Sequence, residues 1–394
     1  VNPIPAETAY LFRHALVREA AYELQPPGER AALHAVVLTI IEDLCGGAPG
    51  TDSQRWAARP DAHPTDSFLS SLVEHTALAP DSPEMRHKAA LYLYRAGSQE
   101  IAGYRLASAM AILKRLANHP GADDYLRARA HFQMGEILYR LGDLAACRHE
   151  YSTAQSYIDP ATDGDGDMIL RSCQTVVDSH TDNGPQVAQA HREAADYWRA
   201  RGDLRKLLGS LINFAVWHCE EGDEQLAHET LNEVIALGRE HNLPLAVSAG
   251  VGITALMDDK HGRVTESEAG LKAAIEAARE GGDPVREIGW LINLAEVYRE
   301  NARLAEATEA LCEASRVCAR FGLDARQDHA DANLAAILVQ QGRYTEARDL
   351  WNPAWERLTK RGDPYGLKII RVVMNDALKR AGRPALSAAG ALPA

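Results

Sequence analysis

Turn signals recur along this chain at a fixed interval, and that interval constrains the fold more than any other feature. The dipeptides Gly142-Asp143, Gly222-Asp223, Gly262-Arg263, Gly342-Arg343 and Gly382-Arg383 fall on a grid of 40 residues. Asp182-Asn183 and Ala302-Arg303 fill the remaining points. A second series, offset by half a period, runs through Gly202-Asp203, Asn242, Gly282-Asp283, Gly322 and Gly362-Asp363. Two turns per period imply two helices per unit, each about 16–18 residues long. Gly or Asn just past a helix suits the left-handed position where other residues meet a steric cost. Asp beside it suits the cap of the following helix. Each Gly-Asp pair therefore stops one helix and starts the next.

The segments between turns carry apolar residues at helical spacing, as in Leu207, Leu208, Leu211, Phe214 and Ala215, or Leu304, Ala307, Leu311, Ala314 and Val317. A helix pair of this kind cannot bury its apolar face alone and must stack on its neighbours. The chain is 46% hydrophobic but only 6% aromatic, which suits helices packed through small residues better than sheets. The expected fold is all-α, a right-handed superhelical solenoid of antiparallel helix pairs. Seven pairs are expected from about residue 85, then a single helix at 363–381.

Particular residues carry a family resemblance. The segments N-F-A-V-W-H-C-E-E-G-D-E-Q-L-A (Asn213 to Ala227), N-L-A-E-V-Y-R-E-N-A-R-L-A-E-A (Asn293 to Ala307) and N-L-A-A-I-L-V-Q-Q-G-R-Y-T-E-A (Asn333 to Ala347) resemble tetratricopeptide (TPR) repeats. Met134 to Cys147 follows the same pattern more loosely. Small residues at Ala227, Ala307 and Ala347 let paired helices approach closely. The departure is length, since the common repeat has about 34 residues.

The first eighty residues break the grid. Tyr10-Leu11-Phe12-Arg13-His14-Ala15-Leu16-Val17-Arg18-Glu19-Ala20-Ala21-Tyr22 is followed by an amphipathic stretch, Glu29 to Val37. This resembles the end of the winged-helix module in STAND-class signalling ATPases, where an F-R-H-x-L-[IV]-R-[ED]-x-x-Y string precedes a helix with L-H near its start. Leu72-Val73-Glu74-His75, Tyr94-Arg95-Ala96-Gly97 and Tyr104 to Ala109 agree with it. The resemblance makes His14 the residue that senses the nucleotide's phosphates. This chain contains no G-x-x-x-x-G-K-[ST] loop for it to serve. The lack of an initiator Met leads to the expectation of a piece cut from a larger protein. The expected organisation is a winged-helix remnant at 1–45, a loop at 46–66 (rich in Gly, Pro, Asp and Ser), a repeat array at 67–382 and a flexible Pro/Ala-rich tail at 383–394.

Chemistry finds little purchase. The net charge is −13 and the pI about 5.6, which argues against a phosphate-backbone binder. No stretch has the length and apolarity of a membrane-spanning helix. The six cysteines form no C-x-x-C pair and mostly sit in helical patterns as small apolar fillers, as in a reducing cytoplasm. The fifteen histidines include no H-E-x-x-H. The acidic run Asp159 to Asp167 lacks the Gly and Glu of a calcium loop and reads as an inter-repeat turn. Neither enzyme activity, cofactor nor metal is expected.

Recognition is expected on the concave face. The TPR resemblance puts the first helix of each pair there, with the Asn of the N-L-A string pointing inward. That column holds Gln133, Cys173, Asn213, Ile253, Asn293, Asn333 and Val373. Carboxamides both donate and accept, so a ladder of them suits a peptide backbone. Seven residues earlier, on the same face, sit Lys206, Ala246, Arg286 and Arg326, with His329 between Arg326 and Asn333. Arg286 and Arg326 are candidates to clamp an acidic group. The expected role is a sensor in a STAND-type ATPase. It would bind a protein, a peptide or a small inducer in the groove and act on a neighbouring nucleotide-binding module, without direct contact to nucleic acid. The alternative is a constitutive protein-assembly scaffold.

Overall fold

A computed structural model of the chain describes residues 22–50, 56, 60–180, 184–361, 364–387 and 390–392. Among them are seventeen α-helices, one short 3-10 helix and no strand. The string containing His14 lies outside the described residues. The chain divides into two compact units, Val1–Ala130 and His131–Ala394.

The first unit holds α1 (Pro27–Leu44), the 3-10 helix Pro64–Phe68, α2 (Leu69–Leu78), α3 (Pro83–Ala102) and α4 (Leu106–Ala117). It also contains the start of α5 (Asp124–Leu141), which runs on into the second unit. Its core gathers Leu38, Leu69, Leu72, Tyr92 and Ala96. Two buried polar contacts fasten it. Glu42 of α1 accepts from the Tyr92 hydroxyl at 2.6 Å and from Lys88 Nζ at 2.7 Å. Arg95 of α3 donates to both Asp66 oxygens and to the Asp61 carbonyl. These bonds hold the end of the 46–66 segment, where Asp66 also closes a capping box on His63.

The second unit continues with α6 (Leu144–Gln155), α7 (Gly164–Ser179), α8 (Pro185–Arg201), α9 (Leu204–Glu221), α10 (Glu224–Glu240), α11 (Pro244–Lys260), α12 (Val264–Glu280), α13 (Pro284–Glu300), α14 (Leu304–Phe321), α15 (Asp324–Gln340), α16 (Tyr344–Arg361) and α17 (Pro364–Arg380). From α7 onward every helix has 16 to 18 residues. Pairing helices from α3 onward gives seven pairs and the single helix α17, as the sequence predicts.

The grid turns are left-handed wherever they are described. Gly142, Gly222, Gly262, Gly342 and Gly382 have φ between 66° and 89°, and Ala302 fills its point at 60°. Gly202, Asn242, Gly282 and Gly322 do the same in the second series. Asp143, Asp203, Asp223 and Asp283 each accept a backbone N–H of the following first turn. In the acidic run, Asp163 caps α7 through Gly166 N.

Successive helices pack against one another, and the first helices of successive pairs also touch, α9 on α11, α11 on α13, α13 on α15 and α15 on α17. Ala227, Ala307 and Ala347 are fully buried. Gly270 shows how closely α12 approaches α11, because a Cβ there would lie 2.7 Å from that of Ala255. This is the all-α, TPR-like solenoid of antiparallel pairs. His218 beside Cys219 is a packing residue, its ring edge-on to Phe214 and Trp217.

After Gly382 the backbone leaves helix but stays against α16 and α17. Leu386 and Leu392 are buried. Trp351 Nε1 donates to the Gly390 carbonyl, and Asn352 exchanges two hydrogen bonds with Leu392. The segment covers the apolar edge that the last helix pair would otherwise expose. No described helix is long and apolar enough to cross a membrane.

Candidate ligand-binding cavity

The repeat period places equivalent residues of successive first helices side by side on one wall. On α13 these are Gly289, Ile292, Asn293 and Glu296; on α15 they are Arg326, His329 and Asn333; on α17 they are Gly366, Ile369 and Val373. Within each helix the spacing of three, four and seven residues keeps them on one face. Between helices the offset is one repeat, so Asn293, Asn333 and Val373 form one row and Gly289, His329 and Ile369 another. Facing them are Tyr139, Arg140 and Leu141 at the end of α5, Gly142 of the following turn, Leu144 at the start of α6, and His180 beyond α7. The two walls border a cleft of about 410 Å3 that is open to solvent on one side, within the usual size range of a ligand pocket.

The polar groups differ in how far they are already engaged. Asn333 donates from Nδ2 to the His329 carbonyl one turn earlier, at 2.8 Å. Asn293 is half-buried and lines the cavity. Glu296 is held by Arg299, with contacts of 2.8 and 2.5 Å. Its charge, added to burial, pushes Asp259 and Glu300 above the ordinary carboxylate range. Among the described residues Arg140 reaches only Glu136 of its own helix, at 3.9 Å. No hydrogen bond or ion pair joins the Arg326 side chain to any described residue, and its Nε is enclosed. Tyr139 retains 38% of its surface, yet burial and then Glu136 raise its phenol pKa, opposed by Arg326 from the other wall. Both facts describe a ring on a concave wall.

Gly289 is the unexpected member. It sits inside α13, where glycine costs about 1 kcal/mol relative to alanine. A Cβ there would meet nothing within 4 Å, so no described neighbour requires its absence. The open space above it is the cavity.

Of the eight groove residues expected from sequence, Asn293, Asn333, Arg326 and His329 converge here. The other four do not line this cavity. Gln133 is buried at 3% exposure. Asn213 is half-buried on α9. Lys206 is held by Asp203 at 2.5 Å and lies 4.6 Å from the Trp198 ring centre. Arg286 donates to the Leu245 carbonyl and pairs with Asp283. The Gly289 row was readable, lying four residues before the Asn column on the same face. The opposite wall was not, because nothing in the repeat pattern says that α5 faces α13, α15 and α17.

With this geometry in hand, the chain can be compared with known proteins. Its fold is similar to that of a Rap protein. The Rap structure, determined with the Competence and Sporulation Factor, gives a TM-score of 0.62 at 13% identity, over 91% of this chain and 93% of that one. NprR in complex with its cognate peptide NprX gives 0.57 at 10% identity, over 91% and 98%. The apo form of the quorum sensor NprR from B. thuringiensis gives 0.51 at 11% identity, over 93% and 95%. At these identities the likeness is one of fold. Neither a protein-family model nor a curated protein matches the sequence.

Proposed function

We propose that this chain is a peptide-binding sensor, which holds an extended segment between α13, α15 and α17 on one side and the α5–α6 turn on the other. The observation that carries this reading is the convergence of Asn293, Asn333 and an unengaged Arg326 on one walled cavity. Asn293 offers a donor and an acceptor to a peptide main chain, and Asn333 keeps its carbonyl oxygen. Gly289 leaves room for that main chain to approach the helix. The fold supports the reading, since a Rap protein and NprR were each solved with a bound factor or peptide.

Sensing requires that the occupant favour one of two states. Here the two walls come from opposite ends of the second unit's sequence, so one occupant touches both. A constitutive scaffold has no use for such an internal site, and the sensor reading is preferred. The context we propose is cytoplasmic, within a longer STAND-type ATPase whose nucleotide module the occupied array releases or seats. That part rests on the Phe12-Arg13-His14 string. A reading frame without a Walker loop upstream of Val1 would remove it.

The binding claim is tested by passing a random hexapeptide pool over the immobilised chain and identifying retained sequences by mass spectrometry. Retention is expected to fall at least about tenfold on Asn293→Ala with Asn333→Ala, the loss of one or two hydrogen bonds to a buried group. Gly289→Ala is expected to lower retention while raising helix stability. Equal retention by wild type and all variants would refute the site.

A further inference from the structure

Resting on the peptide-binding reading above, we infer that this cavity selects a carboxylate-bearing peptide, with Arg326 as the carboxylate receptor and Ile292, Ile369 and Val373 as the seat for an adjoining apolar side chain. Three observations converge on it. A guanidinium has five N–H donors in a planar fork, and at Arg326 none meets an acceptor among the described residues. Its Nε is enclosed, and an enclosed donor without a partner is rare in native proteins because the lost hydration is not replaced. A carboxylate replaces it with two parallel charge-assisted bonds.

The second observation is the sign of the lining. In a chain of net charge −13, this cavity gathers two guanidinium groups, Arg140 and Arg326, against one carboxylate, Glu296. That carboxylate is already gripped on two oxygens by Arg299. The local balance therefore favours an anion where the chain as a whole repels one.

The third is the apolar ground beside it. Ile369 leaves 42% of its surface open on the same wall, and Ile292 and Val373 flank it. A free inorganic anion would gain nothing from this surface. An acidic residue next to a Leu, Val or Ile side chain gains from both halves of the site.

The carboxylate has two possible sources, an Asp or Glu side chain or a free C-terminus. Hexapeptide pools separate them when made in three forms: acidic residues with an amidated end, no acidic residues with a free end, and neither. Every form is N-acetylated. The neutral form is expected to be retained at least about tenfold less than one of the others, as for loss of a buried charge-assisted pair. Arg326→Gln is expected to bring all forms to the neutral level. Arg326→Lys restores part of the difference, keeping charge but losing the fork. An unchanged thermal midpoint in either variant shows that the array is folded. Preference for the side-chain form or for the free-end form assigns the source. Equal retention of all three forms, or an acidic preference that survives Arg326→Gln, overturns the inference and leaves peptide binding standing. Retention of no form overturns both.

Discussion

Arg299 of α13 donates to Asp376 of α17 at 2.9 Å, reaching past the intervening helix pair. Its side chain is 2% exposed and also grips Glu296. The bond ties α13 to α17 across two repeats, and Arg380 adds to it by bonding both Asp376 and the Glu300 carbonyl. Asp376→Ala leaves a buried guanidinium with one carboxylate instead of two. Removing one partner of a fully buried pair costs about 3–5 kcal/mol. Asp376 is itself about one-third exposed and Glu296 remains, so the expected loss is about 1–2 kcal/mol. Urea denaturation of the full chain measures it, and a change below about 0.5 kcal/mol would mean the link is ornamental.

Ala302 occupies a grid point where every other described residue but Asn242 is glycine, at φ of 60°. A left-handed alanine carries about 1–2 kcal/mol of strain, partly offset because glycine makes the unfolded chain more flexible. Ala302→Gly is therefore expected to stabilise by about 0.5–1 kcal/mol. Gly342→Ala, which imposes that strain on a neighbouring repeat, should destabilise by about 1 kcal/mol. Opposite signs in the two melts support the turn assignment; equal signs contradict it.

His191 on α8 is 3% exposed and its Nδ1 has no partner among the described residues. Burial lowers its pKa to about 4. Above pH 6.5 the ring is neutral in both folded and unfolded states and costs nothing. Between pH 6.5 and about 4 the unfolded chain takes up a proton that the native one refuses, so stability falls as pH falls. The full loss is on the order of 3 kcal/mol. Thermal melts at pH 7 and pH 5 should differ more for wild type than for His191→Leu; identical pH slopes would place the ring in contact with water.

The segment after Gly382 offers a test by deletion. Ending the chain at Arg383 removes the burial of Leu386 and Leu392 and the acceptor for Trp351. Two buried leucines contribute roughly 3 kcal/mol or more, so α16 and α17 should lose amide protection in hydrogen exchange. Unchanged protection would mean the segment contributes nothing.

The fold was legible because the turn chemistry repeats. Gly at left-handed positions and Asp at caps state where each helix ends, and a two-helix period leaves few ways to pack. What the sequence hid depends on distance along the chain. Lys206 and Arg286 share their register with Arg326, yet Asp203 and Trp198 occupy the one and Asp283 and the Leu245 carbonyl the other. Such engagement comes from individual neighbours, which a column of equivalent positions does not reveal. The packing of the Pro/Ala-rich end was hidden in the same way. Its composition lacks any helical pattern, and its hold comes from Trp351 and Asn352, some 40 residues earlier.

The central claim is that one occupant lies between the two walls of the second unit. Hydrogen exchange with and without the most strongly retained hexapeptide tests it most directly. Protection should rise together at α13, α15, α17 and residues 139–144. Protection confined to the outer helices α10, α12 and α14, or absent from one wall, would contradict the account.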